Sequence, residues 1–147
     1  MSAMTDYLEN KLIDQILRGQ GFSFPSTLYL ALCSAEPSQS GTVSELSGPG
    51  YSRASISASL SNFSGTQGAG TTTASTGASG ESTNNVDVEY GNALGEWGAA
   101  SHVAVFDAAT GGNLLLFGEL KKPKLITSGM KPKFKVGTIK FTIAATA

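Results

Sequence analysis

The strongest pattern in the chain runs over residues 97–120, where two apolar runs flank a polar, glycine-bearing segment. His102-Val-Ala-Val-Phe106 is rich in β-branched and aromatic residues, and Asn113-Leu-Leu-Leu-Phe117 is almost wholly apolar. Asp107-Ala-Ala-Thr-Gly-Gly112 lies between them. Runs of about five apolar residues bounded by turn signals are too short for helices and suit strands buried on both sides. Gly111 and Gly112 supply the positive φ that a hairpin turn demands. The pattern predicts a central β-hairpin, opened by Trp97 as a core or rim anchor.

The flanking segments fit around that hairpin. Residues 1–19 read as an amphipathic helix: Thr5 as N-cap, Asp6 and Glu9 in the first turn, Arg18 in the last turn and Gly19 as the stop. Its apolar face carries Leu8, Leu12, Ile13, Ile16 and Leu17, with Asp6, Asn10, Asp14 and Arg18 on the other side. That face packs either on the helix's own sandwich, the reading preferred, or as an arm on a neighbouring subunit through residues such as Leu12 and Ile16. Residues 26–34 predict a strand apolar on both faces, hence central, with the helix over one of them. Residues 36–50 are a Pro/Gly-broken loop. Residues 51–60 alternate, with Ala54, Ile56, Ala58 and Leu60 inward and Arg53, Ser55, Ser57 and Ser59 on the opposite face.

Residues 61–83 are low in complexity, rich in Gly, Ser and Thr and almost free of charge. So long a loop is uncommon in a compact domain, and it is expected to be ordered in part by an intersubunit contact. Residues 84–90 predict a short strand with Val86, Val88 and Tyr90 on one face and Asp87 and Glu89 on the other. Residues 120–130 read as a turn-rich connection with a short strand at 124–127. The last strand, 132–144, changes phase: Phe134 and Val136 share one parity, and Ile139, Phe141 and Ile143 the other. For all five to face the core, an extra residue must be absorbed near Gly137, which predicts a β-bulge there and puts Lys133, Lys135 and Lys140 outward. Six to eight strands plus one N-terminal helix make a mainly β fold, an antiparallel β-sandwich or jelly roll. The 147 residues form one domain: 1–19 a helix or arm, 26–147 the sandwich.

Composition adds a clue about partners. Charged residues are only 14% of the chain, which fits a surface covered by other proteins or one made of Ser/Thr loops. The net charge of −1 is lopsided. Residues 1–117 hold three basic and ten acidic groups, a net of −7; residues 118–147 hold seven lysines against Glu119, a net of +6. Such polarity suits head-to-tail contact between copies or docking on an oppositely charged surface, and it marks Lys121, Lys122, Lys124, Lys131, Lys133 and Lys135 as candidate interface residues. The simpler role for most of these lysines is to guard the solvent face and edge of the last strand.

Candidate chemistry is thin. One cysteine, Cys33, excludes an intrachain disulfide and reads as a buried thiol. No signal peptide or membrane-length apolar run is expected. Asn62-Phe63-Ser64 is a chance sequon. The lone His102 has Ser101 beside it, on the opposite face of a strand, so a Ser-His-Asp arrangement is not expected, nor is a metal site. Asp87 and Glu89 read as a solvated face. The basic end turns its aromatics inward, against a nucleic-acid platform. The expectation is a non-enzyme with no cofactor and no metal, binding neither nucleic acid nor membrane.

Residues 5–14, Thr27-Leu-Tyr-Leu-Ala-Leu32, Gly50-Tyr-Ser-Arg53, Trp97-Gly98 and residues 106–115 together resemble a family of small tailed-bacteriophage virion proteins, labelled tail-fibre proteins and in some phages serving as capsid decoration (cement) proteins. The resemblance implies a structural virion protein. The leading role is cement on the outer capsid surface, a homotrimer bound to the major capsid protein where capsomers meet. The alternative is a tail-fibre or tail-associated binding protein.

Overall fold

In a computed structural model describing residues 4–143, one helix precedes eight strands: α1 Asp6–Leu17, β1 Thr27–Cys33, β2 Ala54–Ser57, β3 Glu81–Thr83, β4 Val88–Glu89, β5 Gly98–Phe106, β6 Leu114–Ile126, β7 Lys133–Phe134 and β8 Ile139–Thr142. Residues 1–3 of the predicted helix and Ala144 of the predicted last strand lie outside the described residues. All pairings are antiparallel. A six-stranded sheet has the order β2-β1-β5-β6-β8-β3, and β4 pairs with β7 in a small second sheet. The mainly β, sandwich-like fold with one N-terminal helix is the one the patterning predicts.

The predicted hairpin is the centre of the large sheet. Leu30, Leu32, Val103 and Val105 meet Val88, Tyr90 and Phe134 of the second layer in the main core. The Tyr90 hydroxyl crosses that core to donate to the Leu30 carbonyl at 3.0 Å, and burial pushes its pKa well up. On the opposite face Ala31, Cys33, Ala104, Phe106 and Leu114 form a second cluster under Val43, so β1 is covered on both sides as its sequence requires. The Cys33 thiol is raised to about 12, first by burial and then by the nearby Glu45 charge.

The hairpin turn closes through Asp107, whose carboxylate accepts from the Asn113 backbone N–H at 2.7 Å and its side-chain amide at 3.0 Å. Gly111 and Gly112 take φ of +59° and +77°. A Cβ on Gly112 would stand 2.6 Å from Asp107 Oδ1 and 2.7 Å from Ala108 Cβ, whereas one on Gly111 would meet open space. Gly112→Ala is therefore expected to cost about 2 kcal/mol and lower Tm by roughly 4–8 °C, and Gly111→Ala about half as much, measured by thermal unfolding.

Five features depart from the patterning. The helix is capped by Thr5 as predicted, its hydroxyl accepting from Leu8 N–H at 3.3 Å, and the same buried hydroxyl donates to the Leu114 carbonyl at 2.6 Å. That pins the start of α1 to the start of β6. Beyond this point the helix leaves the sandwich: only Leu8 is buried, and Ile13, Ile16 and Leu17 are 51%, 73% and 76% exposed. The apolar face is thus not packed on its own domain, because the anchoring is done by the cap and one leucine.

Strand β2 stops at Ser57, and Leu60 lies exposed in the following turn. The 61–83 loop is organised by its own polar side chains: Gln67 accepts from Thr76 N–H at 3.1 Å and Thr66 bonds Gly77 in both directions, at 3.0 and 3.1 Å. Its hydrogen bonds are met within the chain, and β3 at its end joins β8. Strand β6 continues unbroken through residues predicted as a turn-rich connection. It does so by bulging: Ala100 opposes Lys124 and His102 opposes Glu119, so residues 120–123 stand against Ser101 alone. Pro123, which has no N–H for a ladder, sits in that bulge.

The phase change near Gly137 is real, but it is not a bulge. Gly137, with φ +79°, lies in a turn closed by Thr138 N–H to the Lys135 carbonyl at 3.2 Å. The chain leaves the small sheet at β7 and enters the large one at β8. Phe134, Ile139 and Phe141 are buried, while Val136 and Ile143 are exposed. Lys133, Lys135 and Lys140 do face outward.

Candidate functional site

The β6 bulge and the turn after β7 stand side by side, and between them lies an open groove of about 490 Å³. One wall carries Lys121, Lys122 and Lys124; the other carries Lys133 and Lys135; Leu120, Pro123 and Phe134 are its apolar part. The bulge creates the first wall, since Lys121, Lys122 and Pro123 have no register partner on β5 and Lys124 re-enters the ladder opposite Ala100. The sheet switch creates the second. Lys124 bridges the walls, its ammonium 3.2 Å from the Lys133 carbonyl and 5.2 Å from the centre of the Phe134 ring.

Five of the six lysines singled out from the sequence thus meet in one place; Lys131 is exposed but does not line the groove. Asp87 offsets part of the charge. It pairs with Lys133 at 3.5 Å and accepts from Val136 N–H at 3.0 Å, so it braces the turn and is not a free solvated acid. Lys140, beyond the groove, pairs with Glu81 at 3.6 Å. Among the described residues, Lys121, Lys122 and Lys135 form no ion pair and leave the groove positive. Leu12 and Ile16, the other predicted interface residues, lie on the helix and do not line the groove. The apolar floor was missed by the sequence reading because Leu120 had been placed in a connection.

A second polar cluster was also missed. Arg53, expected on the polar face of its strand, has a side chain only 7% exposed. It grips Glu45 with two bonds, Nε to Oε2 and Nη2 to Oε1, both 3.0 Å. Its Nη1 donates to the Ala108 and Gly111 carbonyls at 2.9 Å each, and the guanidinium lies 3.7 Å over the Phe106 ring. The Tyr51 hydroxyl donates to Glu45 Oε2 at 2.6 Å and accepts from Leu32 N–H at 3.1 Å. Burial opposes the Glu45 charge, but the Arg53 and Tyr51 hydrogen bonds outweigh it and lower the carboxyl's pKa. Burial, then the bond to Glu45, raises that of Tyr51. Four of the five guanidinium N–H donors are spent on the chain itself, so this cluster is a clamp between the 107–113 turn and the entry to β2. Tyr51 and Arg53 of Gly50-Tyr-Ser-Arg53 are both held in it by their own chain.

His102 also turns inward on its own chain. The bulge rotates Ser101 so that its hydroxyl lies 2.8 Å from His102 Nδ1, and not on the opposite face as a regular strand would have it. Among the described residues no carboxylate is hydrogen-bonded to this imidazole, and no group of three or more His, Cys, Asp or Glu could hold a metal ion. Among the described residues no helix is long and apolar enough to cross a membrane.

A family model described as Podophage GP4 fiber I protein gp80 matches residues 3–142. No curated protein matches the chain.

Proposed function

The chain belongs to the podophage GP4 fiber I protein gp80 family, one of tail-fibre-like phage virion proteins, and from that premise we propose that it is a structural subunit of a fibre on the virion, acting by packing against other proteins and not by catalysis. The observation that carries this reading is the extent of the match: residues 3–142 take in the helix and all eight strands. The chemistry available supports it. Arg53, Glu45, Tyr51 and His102 are engaged by their own chain, and the open groove is lined chiefly by lysine and apolar side chains, which bind by charge complementarity and burial.

A second reading, capsid cement on the outer shell as a trimer contacting the major capsid protein, is favoured by one specific feature, the gathering of five lysines at one end of the molecule. An acidic shell surface would complement them. Copy number separates the two. Quantitative mass spectrometry of purified virions, scaled to the major capsid protein, is expected to return a handful of copies for a fibre subunit. Hundreds of copies would overturn the fibre reading in favour of cement, and absence from the virion would overturn both.

A further inference from the structure

Two surfaces of the chain are unfilled, and they complement each other. The first is the outer face of α1. Asp6, assigned by the patterning to the polar side, lies over Ile13: Asp6, Glu9, Ile13 and Ile16 follow the i, i+3, i+7, i+10 spacing of one helical face, with Leu12 and Leu17 beside them. Its N-terminal turn is acidic, the next two turns are apolar, and no cation lies on it. Lys11 and Arg18 fall on another face with Asp14, which holds Arg18 at 3.0 Å. The second surface is the groove with its apolar part at Leu120, Pro123 and Phe134 and its lysine walls.

The two surfaces do not meet within one molecule: no residue of α1 lines the groove, and Ile16 and Leu17 stay exposed. Thr5 fastens the helix to β6 at Leu114 and Leu115, whereas the groove starts at Leu120 and is built on the far half of the same strand. At strand rise, the separation from Leu115 to Lys122 is roughly 20 Å. A donor at one end of a strand and an acceptor at the other make a heterologous contact, which repeats from copy to copy until it closes into a ring.

We propose that the protein self-associates head to tail, the acidic and apolar face of α1 of one copy seating in the lysine-walled groove of the next. The partner is a second copy of this chain, chosen because both the charge and the apolar character of the two surfaces match, with −7 on residues 1–117 against +6 on residues 118–147. Ile16 and Leu17 supply the buried anchor, and Asp6 and Glu9 meet Lys121, Lys122 and Lys135 at its rim. The proposal holds for a fibre subunit and for a shell protein alike, so it stands or falls separately from copy number.

The test is sedimentation of the purified full-length chain across a concentration series. The expected result is a closed oligomer that weakens as salt rises. Ile16→Asp is expected to raise the dissociation constant about tenfold or more, and so is the pair Lys122→Glu and Lys135→Glu. Asp6→Lys with Glu9→Lys is expected to do the same. A chain carrying all four charge reversals restores the oligomer, because the attraction is re-created with its signs exchanged. Ile16, Lys122 and Lys135 are exposed, so Tm of the variants at these positions is expected to match that of the parent, whereas Asp6→Lys with Glu9→Lys sets two cations in the first turn of α1 and is expected to lower Tm slightly, with the fold retained. A chain that sediments as a monomer throughout overturns the proposal. So does an oligomer indifferent to the single-surface changes, or one that the fourfold reversal leaves dissociated.

Discussion

Replacing Arg53 with methionine is expected to destabilise the protein by about 4 kcal/mol, more than any surface change considered above. Methionine keeps the apolar contact with Phe106, so the loss isolates the polar work of the guanidinium. That work has two parts. One is the bidentate bond to Glu45, a carboxylate whose side chain is 23% exposed and which the substitution leaves without its cation. The other is the pair of bonds to the Ala108 and Gly111 carbonyls, which hold the hairpin turn against the entry to β2. Arg53→Lys is expected to recover less than half, because one ammonium cannot face both oxygens of Glu45 and both carbonyls. Urea unfolding monitored by Trp97 fluorescence measures both.

The same pair sets a pH dependence. The Glu45 carboxyl titrates lower in the folded chain than in the unfolded one. Its contribution is therefore complete above the usual carboxylate range and is lost as pH falls through that range and below the lowered folded value. In the methionine variant the cation is gone and only the Tyr51 hydrogen bond still opposes burial, so the carboxyl's pKa is expected to rise. Acidification then relieves the variant while it weakens the parent. The stability difference is expected to shrink steadily from neutral pH downward; a difference that is flat with pH would place the loss in the carbonyl bonds alone.

The parts of this fold visible in the sequence are those set by local periodicity. The hairpin, β1, the Thr5 cap and the two positive-φ glycines each follow from a few neighbouring residues. What stayed hidden depends on distant pairs. Nothing near Arg53 in sequence shows that its carbonyl partners lie more than fifty residues on. The register shift opposite Ser101 depends on how β6 pairs with β5, so Leu120, Lys121 and Lys122 read as a connection while they are strand and groove wall. The lysine excess was plain from composition, but its gathering into one groove needed the bulge and the sheet switch together. The helix misled for a different reason: amphipathic spacing says that a face will be covered, not by which molecule.

The quoted Gly50-Tyr-Ser-Arg53 and the residues from Phe106 to Leu115 carried the resemblance, and the structure explains why they go together. Arg53 lies over Phe106 and closes the turn that follows it. These motifs therefore mark how the fold is fastened, in contrast to the lysines that wall the groove. The division is physical: a clamp that binds two carbonyls and a carboxylate tolerates few alternatives, whereas a rim lysine tolerates many.

Asn84 is the second residue on which the architecture turns, and Asn84→Ala is expected to cost about 3 kcal/mol. It is fully buried where the chain passes from β7 to β8. Its amide donates to the Val86 carbonyl at 2.9 Å and the Lys135 carbonyl at 3.0 Å, and its Oδ1 accepts from Ile139 N–H at 3.0 Å. Its own carbonyl accepts from Gly137 N–H at 2.8 Å. One side chain thus satisfies the backbone on both sides of the sheet switch, and alanine takes one hydrogen bond from each of three backbone groups, of which the Lys135 carbonyl keeps its bonds from Thr138. Asn84→Asp is the sharper variant. Its carboxylate can still accept from Ile139 but faces two carbonyls with no hydrogen to give, so its pKa in the folded chain is raised. A raised carboxyl pKa makes stability rise as pH falls, the opposite of the Glu45 effect. Asn84→Asp is therefore expected to be less stable than Asn84→Ala at neutral pH and to regain stability on acidification, as protonation returns one donor. Because the switch also builds the second wall of the groove, hydrogen exchange in the variant is expected to speed up first at residues 133–139, ahead of global unfolding.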